Sequence, residues 1–254
     1  MIMDNLPEMS DWFGYAKTDF EFEGRSSFLV KPQTVNPDRP WIWRTEFFGH
    51  EPQLDIALLK NGWHVAYVQI SDMYGAPSSI EVMRGFQEHL ETEFALASKV
   101  VLEGMSRGGL YAFNYAATFP EKVAALYLDN PVLDIRSWPG GLGSGPGSIE
   151  CWAQCLDVYG LSAESAAAFK GNPLDQVEQV AKAGVPIIMV CGDADEIVPF
   201  EENAAVLARY YDELGAPLEL LIKPGFGHHP HSLPNPEPLT EFLRRHLPTA
   251  FNIK

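Results

Sequence analysis

Residues 100–111 restrict the fold of this chain more than any other segment does, and their sequence is VVLEGMSRGGLY. The first three residues are apolar, which is typical of a buried strand, and the apolar run that ends before Pro120 is typical of a helix. Between the two, Gly104 and Gly108 each lie two residues from Ser106, and Gly109 leaves further space. The segment therefore predicts a sharp strand-to-helix turn with a serine at its apex.

Such a turn is a nucleophile elbow, which holds its serine in a strained conformation and requires small residues on either side. The turn lifts the hydroxyl out of the sheet, and the first free amides of the helix face the place where an oxyanion would form. We therefore predict that Ser106 is a catalytic nucleophile and that the Arg107 N–H is one oxyanion donor. A glycine turn with an idle serine is the alternative interpretation.

A serine hydroxyl needs a base and a group that orients this base, and candidates for both follow along the chain. An apolar strand pattern over 185–191 leads into an acidic loop, and another over 218–223 leads into a glycine loop with histidines. The candidate acids of the first loop are Asp193, Asp195 and Glu196. The candidate bases of the second loop are His228, His229 and His231.

Serine, acid and histidine in this order resemble the α/β-hydrolase superfamily, and the resemblance extends over about residues 17–247. The family spacing, from a glycine to the acid and on to a Val-Pro pair, selects Asp195 over Asp193. Asp129, at the end of another strand pattern, is a second possible acid site. The Gly-Phe-Gly-His run matches the family's histidine loop at His228. The resemblance thus implies a triad of the elbow serine, Asp195 and His228.

The histidine loop also raises the question of a metal, because three of its residues are imidazoles at close spacing. Metal ligands normally come with a defined second set of Cys, Asp or Glu residues, and the sequence shows no such spacing. We therefore expect no metal and no other cofactor. His229 is expected to line the mouth of the site as a substrate-binding residue.

A second oxyanion donor normally comes from the loop after the third strand of this fold. Here that strand pattern covers 40–43, and the loop begins with Arg44, Thr45 and Glu46 in place of the His-Gly pattern of many relatives. We expect the N–H of Thr45 or Glu46 to be the donor. Arg44 and Glu46 are expected near the substrate, where they either bind a polar group or form a salt bridge with each other or with Asp72.

The rest of the chain alternates strands and helices, which implies a mostly parallel sheet with helices on both faces, after an antiparallel start. At 254 residues, the chain is predicted to form a single α/β-hydrolase domain over 1–254. Eight strands are expected near 18–23, 26–31, 40–44, 63–70, 99–105, 123–129, 186–191 and 218–223. Helices are expected near 51–60, 79–97, 107–119, 201–214 and 236–247.

Residues 131–184 depart from this alternation and are predicted to form a small lid over the nucleophile. The segment contains Trp138, then a glycine-rich run over 139–147 and helical patterns near 149–159 and 162–170. Because a tryptophan suits stacking on a sugar ring or an aromatic ester, Trp138 is a candidate substrate-binding residue. Packing of this side chain between lid and body is the alternative.

Charge limits the partners of the chain. Its 18 Lys and Arg residues against 34 Asp and Glu residues give a net charge of −16, without a basic run. Because binding of a phosphate backbone depends on clustered positive charge, nucleic acid is not expected as a ligand. A small ester molecule is the expected partner, and the sequence indicates no particular oligomeric state.

The sequence contains no apolar run of membrane-spanning length, so a membrane is not expected as a partner. The N-terminal residues MIMDNLPE lack the basic start and apolar core of a signal peptide. Three cysteines are too few for a disulfide framework. A cytoplasmic protein is the simplest expectation, although a secreted protein without its signal peptide would look the same.

Together, these residues predict a serine-dependent carboxylic ester hydrolase that works through an acyl-enzyme. Segments 43–50 and 227–232 are similar to bacterial hydrolases grouped with carbohydrate esterases, which implies a small polar ester such as an acetylated or methyl-esterified sugar. A serine peptidase or a non-hydrolytic lyase of the same fold would keep the same triad. A peptidase would also need a group that recognises a peptide terminus.

Overall fold

The computed structural model describes residues 8–252. The strands are β1 (Glu8–Trp12), β2 (Tyr15–Phe22), β3 (Arg25–Lys31), β4 (Trp41–Arg44), β5 (His64–Val68), β6 (Val100–Met105), β7 (Val123–Asp129), β8 (Ile187–Gly192) and β9 (Leu218–Lys223). The α-helices are α1 (Gln53–Lys60), α2 (Pro77–Glu93), α3 (Gly108–Thr118), α4 (Ile149–Tyr159), α5 (Ala163–Ala167), α6 (Val177–Lys182), α7 (Ala204–Glu213) and α8 (Glu237–His246). None of these described helices has the length and apolar character needed to cross a bilayer. Residues 1–7, most of the segment considered for a signal peptide, lie outside the described range.

Within residues 8–252, nine strands form one mixed sheet in the order β1-β2-β3-β5-β4-β6-β7-β8-β9. The pairs from β1 to β3 and the β3–β5 pair are antiparallel, and every pair from β5 across β4 to β9 is parallel. The predicted count of eight strands is therefore too low by one. The additional strand is β1, whose sequence EMSDW has little of the apolar alternation that marks a strand.

Both faces of the sheet are covered by helices because its central strands are apolar on both sides. In β4, Trp43 packs against Phe86 of α2 and Tyr115 of α3, with ring centroids 5.0 and 5.9 Å away. Its neighbour Ile42 points to the opposite face and shares a buried cluster with Leu58 of α1. Complete burial of one such side chain stabilises the fold by roughly 1.5–3 kcal/mol. The parallel strands end at the same edge, so the loops after β4, β6, β8 and β9 meet there.

The insertion between β7 and β8 packs beside this edge. The Tyr159 hydroxyl at the end of α4 donates to the carbonyl of Tyr74 (2.9 Å), and the Tyr74 hydroxyl donates to Gln154 of α4 (2.9 Å). The last helix of the insertion, α6, contacts α3 and α7. It therefore belongs to the helical layer that covers the sheet.

Candidate active site

The turn between β6 and α3 has the geometry that its glycines predict. Ser106 adopts a φ of +50°, a left-handed conformation that is rare for a residue with a side chain. Its N–H donates to the Asp129 carbonyl at 2.8 Å, so the turn is anchored to the end of β7. A Cβ at Gly104 would lie 3.0 Å from the Gly108 carbonyl oxygen, and one at Gly109 would lie 2.7 Å from Cβ of Pro131. Side chains at these positions would therefore push the elbow apart.

The structure brings Ser106, His228 and Asp195 together in one hydrogen-bonded line. The Ser106 hydroxyl lies 2.9 Å from His228 Nε2, and His228 Nδ1 lies 2.6 Å from Asp195 Oδ2. The other carboxylate oxygen accepts the N–H groups of Ile197 and Val198, both at 2.9 Å. With its Nδ1 proton on the carboxylate side, the imidazole presents a lone pair to the serine. This is the arrangement in which an imidazole can remove the hydroxyl proton.

Asn130, which belongs to no sequence motif, holds the end of β8 and the histidine loop together. Its side-chain N–H donates to the His228 carbonyl (2.9 Å), and its oxygen accepts the Gly192 N–H (2.8 Å). Asn130 directly follows β7, and a polar residue where a parallel strand ends is the signal that could have identified it.

The two acids set aside for the triad have other partners. Asp193 accepts the N–H of Gly225, which fastens the acid loop to the histidine loop. Asp129 is buried, and its Oδ1 lies 2.6 Å from His231 Nδ1. The second carboxylate oxygen of Asp129 accepts the Tyr127 hydroxyl and the Ser232 N–H. The active-site edge thus carries a second histidine–aspartate pair beside the triad.

Thr45 cannot supply the second oxyanion donor. Its N–H already donates to the Glu103 carbonyl at 3.1 Å, and its hydroxyl lies within hydrogen-bond distance of the Glu103 and Gly108 carbonyls. Thr45 instead ties β4 to β6. Within residues 8–252, the N–H groups of Glu46 and Arg107 have no hydrogen-bond acceptor, so these two amides stay the predicted donors.

Arg44 does not reach a substrate, which corrects its assignment as a substrate-binding residue. Its side chain is fully buried, 2.6 Å from Asp55 of α1 and 3.2 Å from Glu103 of β6. It also donates to the carbonyl of His50 at 2.7 Å. Because burial of an unpaired charge is costly, a guanidinium at this position needs such partners in the core. Arg44 therefore supports the loop over 45–50 from below.

The side chain of Glu46 binds Arg107 and not Arg44. One guanidinium nitrogen of Arg107 lies 2.9 Å from Glu46, and another lies 2.8 Å from Asp72. The guanidinium also lies over the rings of Phe47 and Tyr74, at 5.7 and 5.2 Å from their centroids. The side chain of Arg107 thus links the loop after β4 to the loop after β5.

A cleft of about 490 Å³ opens beside the nucleophile. It is lined by Phe47, Phe48, His50, Met105, Ser106, His228, His229 and His231. His229 is exposed and lines the cleft, and its contact with a substrate stays a prediction. The two phenylalanines and His50 were not predicted as site residues, although they follow β4 directly at the active edge of the sheet.

Trp138 and the insertion lie outside this cleft. The Trp138 ring packs near Tyr74, with 6.4 Å between the ring centroids, so it joins the insertion to the body of the protein. Among the described residues, none from 131–184 lines the cleft. The insertion is fastened to the body of the protein by the hydrogen bonds of α4 with Tyr74, and its role as a lid stays a prediction.

Comparison with known proteins indicates a serine hydrolase, as the triad does. The prolyl oligopeptidase family matches residues 65–247. The acylamino-acid-releasing enzyme of Sus scrofa is 28% identical over 160 residues, which cover 58% of this chain and 20% of that enzyme. The chain thus corresponds to about one fifth of the length of the curated relatives it matches.

Solved structures show the same fold. The Pyrococcus horikoshii acylaminoacyl peptidase superposes with a TM-score of 0.69 at 15% identity, over 92% of this chain and 42% of that one. Dipeptidyl peptidase 4 of Porphyromonas gingivalis gives a TM-score of 0.67 at 16% identity, over 92% and 35% of the two chains. The predicted α/β-hydrolase fold is confirmed. With the family match across most of its length, the chain belongs to the prolyl oligopeptidase family of serine hydrolases.

Proposed function

We propose that this chain is a serine peptidase that cleaves short peptides whose amino terminus carries no charge. The composition of the cleft is the observation that carries this proposal. Phe47 and Phe48 form an apolar wall, and among the described lining residues none is acidic and none is Lys or Arg. A free ammonium group would find no carboxylate partner there, whereas an acylated amino group needs none.

The reaction follows from the triad. His228 removes the Ser106 proton while the serine oxygen attacks the scissile carbonyl, and Asp195 stabilises the imidazolium that forms. The N–H groups of Arg107 and Glu46 stabilise the oxyanion. His228 then protonates the leaving amine, and water repeats the sequence on the acyl-enzyme.

The relatives support a peptide substrate over an ester. The printed name of the curated relatives is acylamino-acid-releasing enzyme, and the solved neighbours include acylaminoacyl and dipeptidyl peptidases. A putative lipase of Acinetobacter baumannii has the same fold, so the preference for a peptide rests on the family and on the curated relatives. None of these is named as a carbohydrate esterase, and the peptidase alternative fits better. Because the chain covers one fifth of those enzymes, their activity supports this proposal without establishing it.

The test compares N-acetylated and free amino acid p-nitroanilides of alanine, leucine and phenylalanine, with p-nitrophenyl acetate as the ester reference. We expect turnover of the acetylated anilides, with kcat/KM at least about tenfold above that of the free amines. Ser106→Ala is the matched control and should lower kcat by at least about 10³-fold.

The other results have distinct meanings. Turnover of the ester alone would replace the peptidase proposal with the esterase prediction. Equal turnover of free and acetylated anilides would refute the preference for an uncharged terminus. Absence of any Ser106-dependent turnover would point to the lyase alternative.

A further inference from the structure

Three imidazoles meet in the lining of the cleft. The nitrogens that His228, His229 and His231 can offer to a metal lie within 4.8 Å of one another. Two of these side chains are buried and the third is exposed. His50 lines the same cleft, with its ring centroid 5.8 Å from that of His231. This clustering is a product of the fold, since His50 and the histidine loop are far apart in sequence.

The two buried imidazoles are oriented as metal ligands are. Asp195 lies at Nδ1 of His228 and Asp129 lies at Nδ1 of His231, both at 2.6 Å. Each carboxylate accepts the hydrogen bond of the Nδ1–H group, which keeps the proton on Nδ1 and the lone pair on Nε2. A carboxylate behind a histidine is the usual outer partner of a zinc ligand, because it fixes the tautomer and raises the basicity of the ring. The carboxylates thus orient the ligands, and three imidazoles with one water molecule make a complete zinc ligand set without Cys, Asp or Glu.

All three rings must move a little to hold a metal. In a tetrahedral zinc site with Zn–N bonds of about 2.1 Å, the nitrogens are roughly 3.4 Å apart. The exposed side chain of His229 can rotate freely, and small shifts of His228 and His231 would bring the three nitrogens from within 4.8 Å to this spacing. A water molecule would fill the fourth position.

We propose that His228, His229 and His231 form an inhibitory site for a divalent transition metal such as Zn²⁺. The inhibition rests on the proposed function, because the metal occupies the lone pair of His228 Nε2 that must accept the Ser106 proton. Metal binding and the 2.9 Å serine–histidine hydrogen bond therefore exclude each other. Imidazole ligands favour Zn²⁺, Ni²⁺ and Cu²⁺, whereas Mg²⁺ and Ca²⁺ prefer oxygen, so the latter should not bind.

Calorimetric titration with ZnCl₂ tests the site without any enzyme assay. Wild type and Ser106→Ala should each bind one Zn²⁺ per chain, and MgCl₂ should give no binding heat. His229→Gln and His231→Gln should each weaken Zn²⁺ binding by at least about tenfold. His246→Gln, at an exposed histidine far along α8, is the matched control and should bind as the wild type does.

Circular dichroism and thermal unfolding check that the variants fold. If the variant at the buried His231 does not fold, the result for His229→Gln decides the test. Unchanged affinity in folded His229→Gln would overturn the proposal, as would equal binding of Mg²⁺. In the wild type, Zn²⁺ should inhibit Ser106-dependent turnover with a Ki equal to the calorimetric Kd, and EDTA should restore it. Zinc binding without peptidase activity would refute only the proposed function, whereas activity that Zn²⁺ leaves unchanged would refute only the inhibitory site.

Discussion

The buried cluster of Arg44, Asp55 and Glu103 sets one guanidinium against two carboxyl groups in the core. Burial raises the pKa of the Glu103 carboxyl well above its usual range, and the nearby carboxylate of Asp55 raises it further. The guanidinium of Arg44 opposes this shift, and its closer partner is Asp55. We therefore expect Glu103 to be the carboxyl that holds a proton and Asp55 to be the one that balances the charge of Arg44. With this protonation, the three side chains would form a neutral set with one ion pair.

This protonation state predicts unequal costs for two isosteric substitutions. Glu103→Gln replaces one neutral hydrogen-bonding group with another and should lower the free energy of unfolding by about 1 kcal/mol or less. Asp55→Asn removes the carboxylate 2.6 Å from the guanidinium, and Arg44 then regains a charged partner only if the buried Glu103 ionises, so the loss should be larger, about 3 kcal/mol. Urea unfolding of both variants at pH 7 measures the difference. Equal losses would show that Glu103 is ionised.

The residues that sequence reasoning placed well are those defined by local backbone geometry. Ser106 could be identified because glycines at fixed positions are needed for its strained turn. Arg44 was misplaced because its partners, Asp55 and Glu103, come from a helix and another strand, and such a contact leaves no local pattern. The ionisable residue Glu103 inside an apolar strand was a signal, since a buried polar group needs a partner.

At the scale of elements, alternation of strands and helices was enough to predict the parallel part of the sheet. Apolar strands and helices that end at glycine or proline have clear boundaries in sequence. The position of the insertion was harder to predict, because it depends on contacts of α4 with Tyr74 rather than on its own composition. The pairing of His231 with Asp129 likewise appears only once β7 and the loop after β9 are neighbours.

Arg107 joins two loops, so its side chain should affect catalysis although its backbone N–H survives any substitution. Arg107→Met removes the link between Glu46 and Asp72 and leaves the buried Glu46 carboxylate unpaired. The loop that carries the Glu46 amide then loses a fixed position, and kcat should fall by about 10–100-fold. The measurement is steady-state kinetics on the best anilide or ester substrate.

The matched control for Arg107→Met is Asp72→Asn. The side chain of Asp72 is 60% exposed, so its ion pair with Arg107 is screened by solvent and should contribute little. We expect a change in kcat of less than about threefold. If Asp72→Asn and Arg107→Met were equally impaired, the link to Glu46 would not be the cause.

At the scale of the whole molecule, acid stability should depend on a buried histidine distant from the cleft. His64 begins β5 with 2% of its surface exposed, and burial lowers its pKa from 6.5 to about 4. Above pH 6.5 the folded and unfolded states are both neutral at this residue. As the pH falls from 6.5 toward 4, His64 becomes protonated in the unfolded chain but stays neutral in the folded one. The free energy of unfolding therefore falls by up to about 3 kcal/mol.

Comparison with His64→Gln isolates this effect from the net charge of −16, which both proteins share. The difference in unfolding free energy between wild type and variant should be constant above pH 7 and should shift by about 3 kcal/mol against the wild type by pH 4. His246→Gln, which removes an exposed histidine, should show no such shift. Parallel pH profiles for wild type and His64→Gln would contradict the prediction.

The order of the triad along the chain has a consequence for following the folding of this protein. Ser106 follows a central strand, whereas His228 follows β9, the strand at one edge of the sheet. A molecule with its centre formed and β9 undocked has a nucleophile without a base. Fluorescence of the buried tryptophans in β4 would report only the centre. During renaturation, the recovered turnover is therefore proportional to the fraction of molecules in which β9 has docked. Enzyme activity thus reports the last step of sheet formation at this edge.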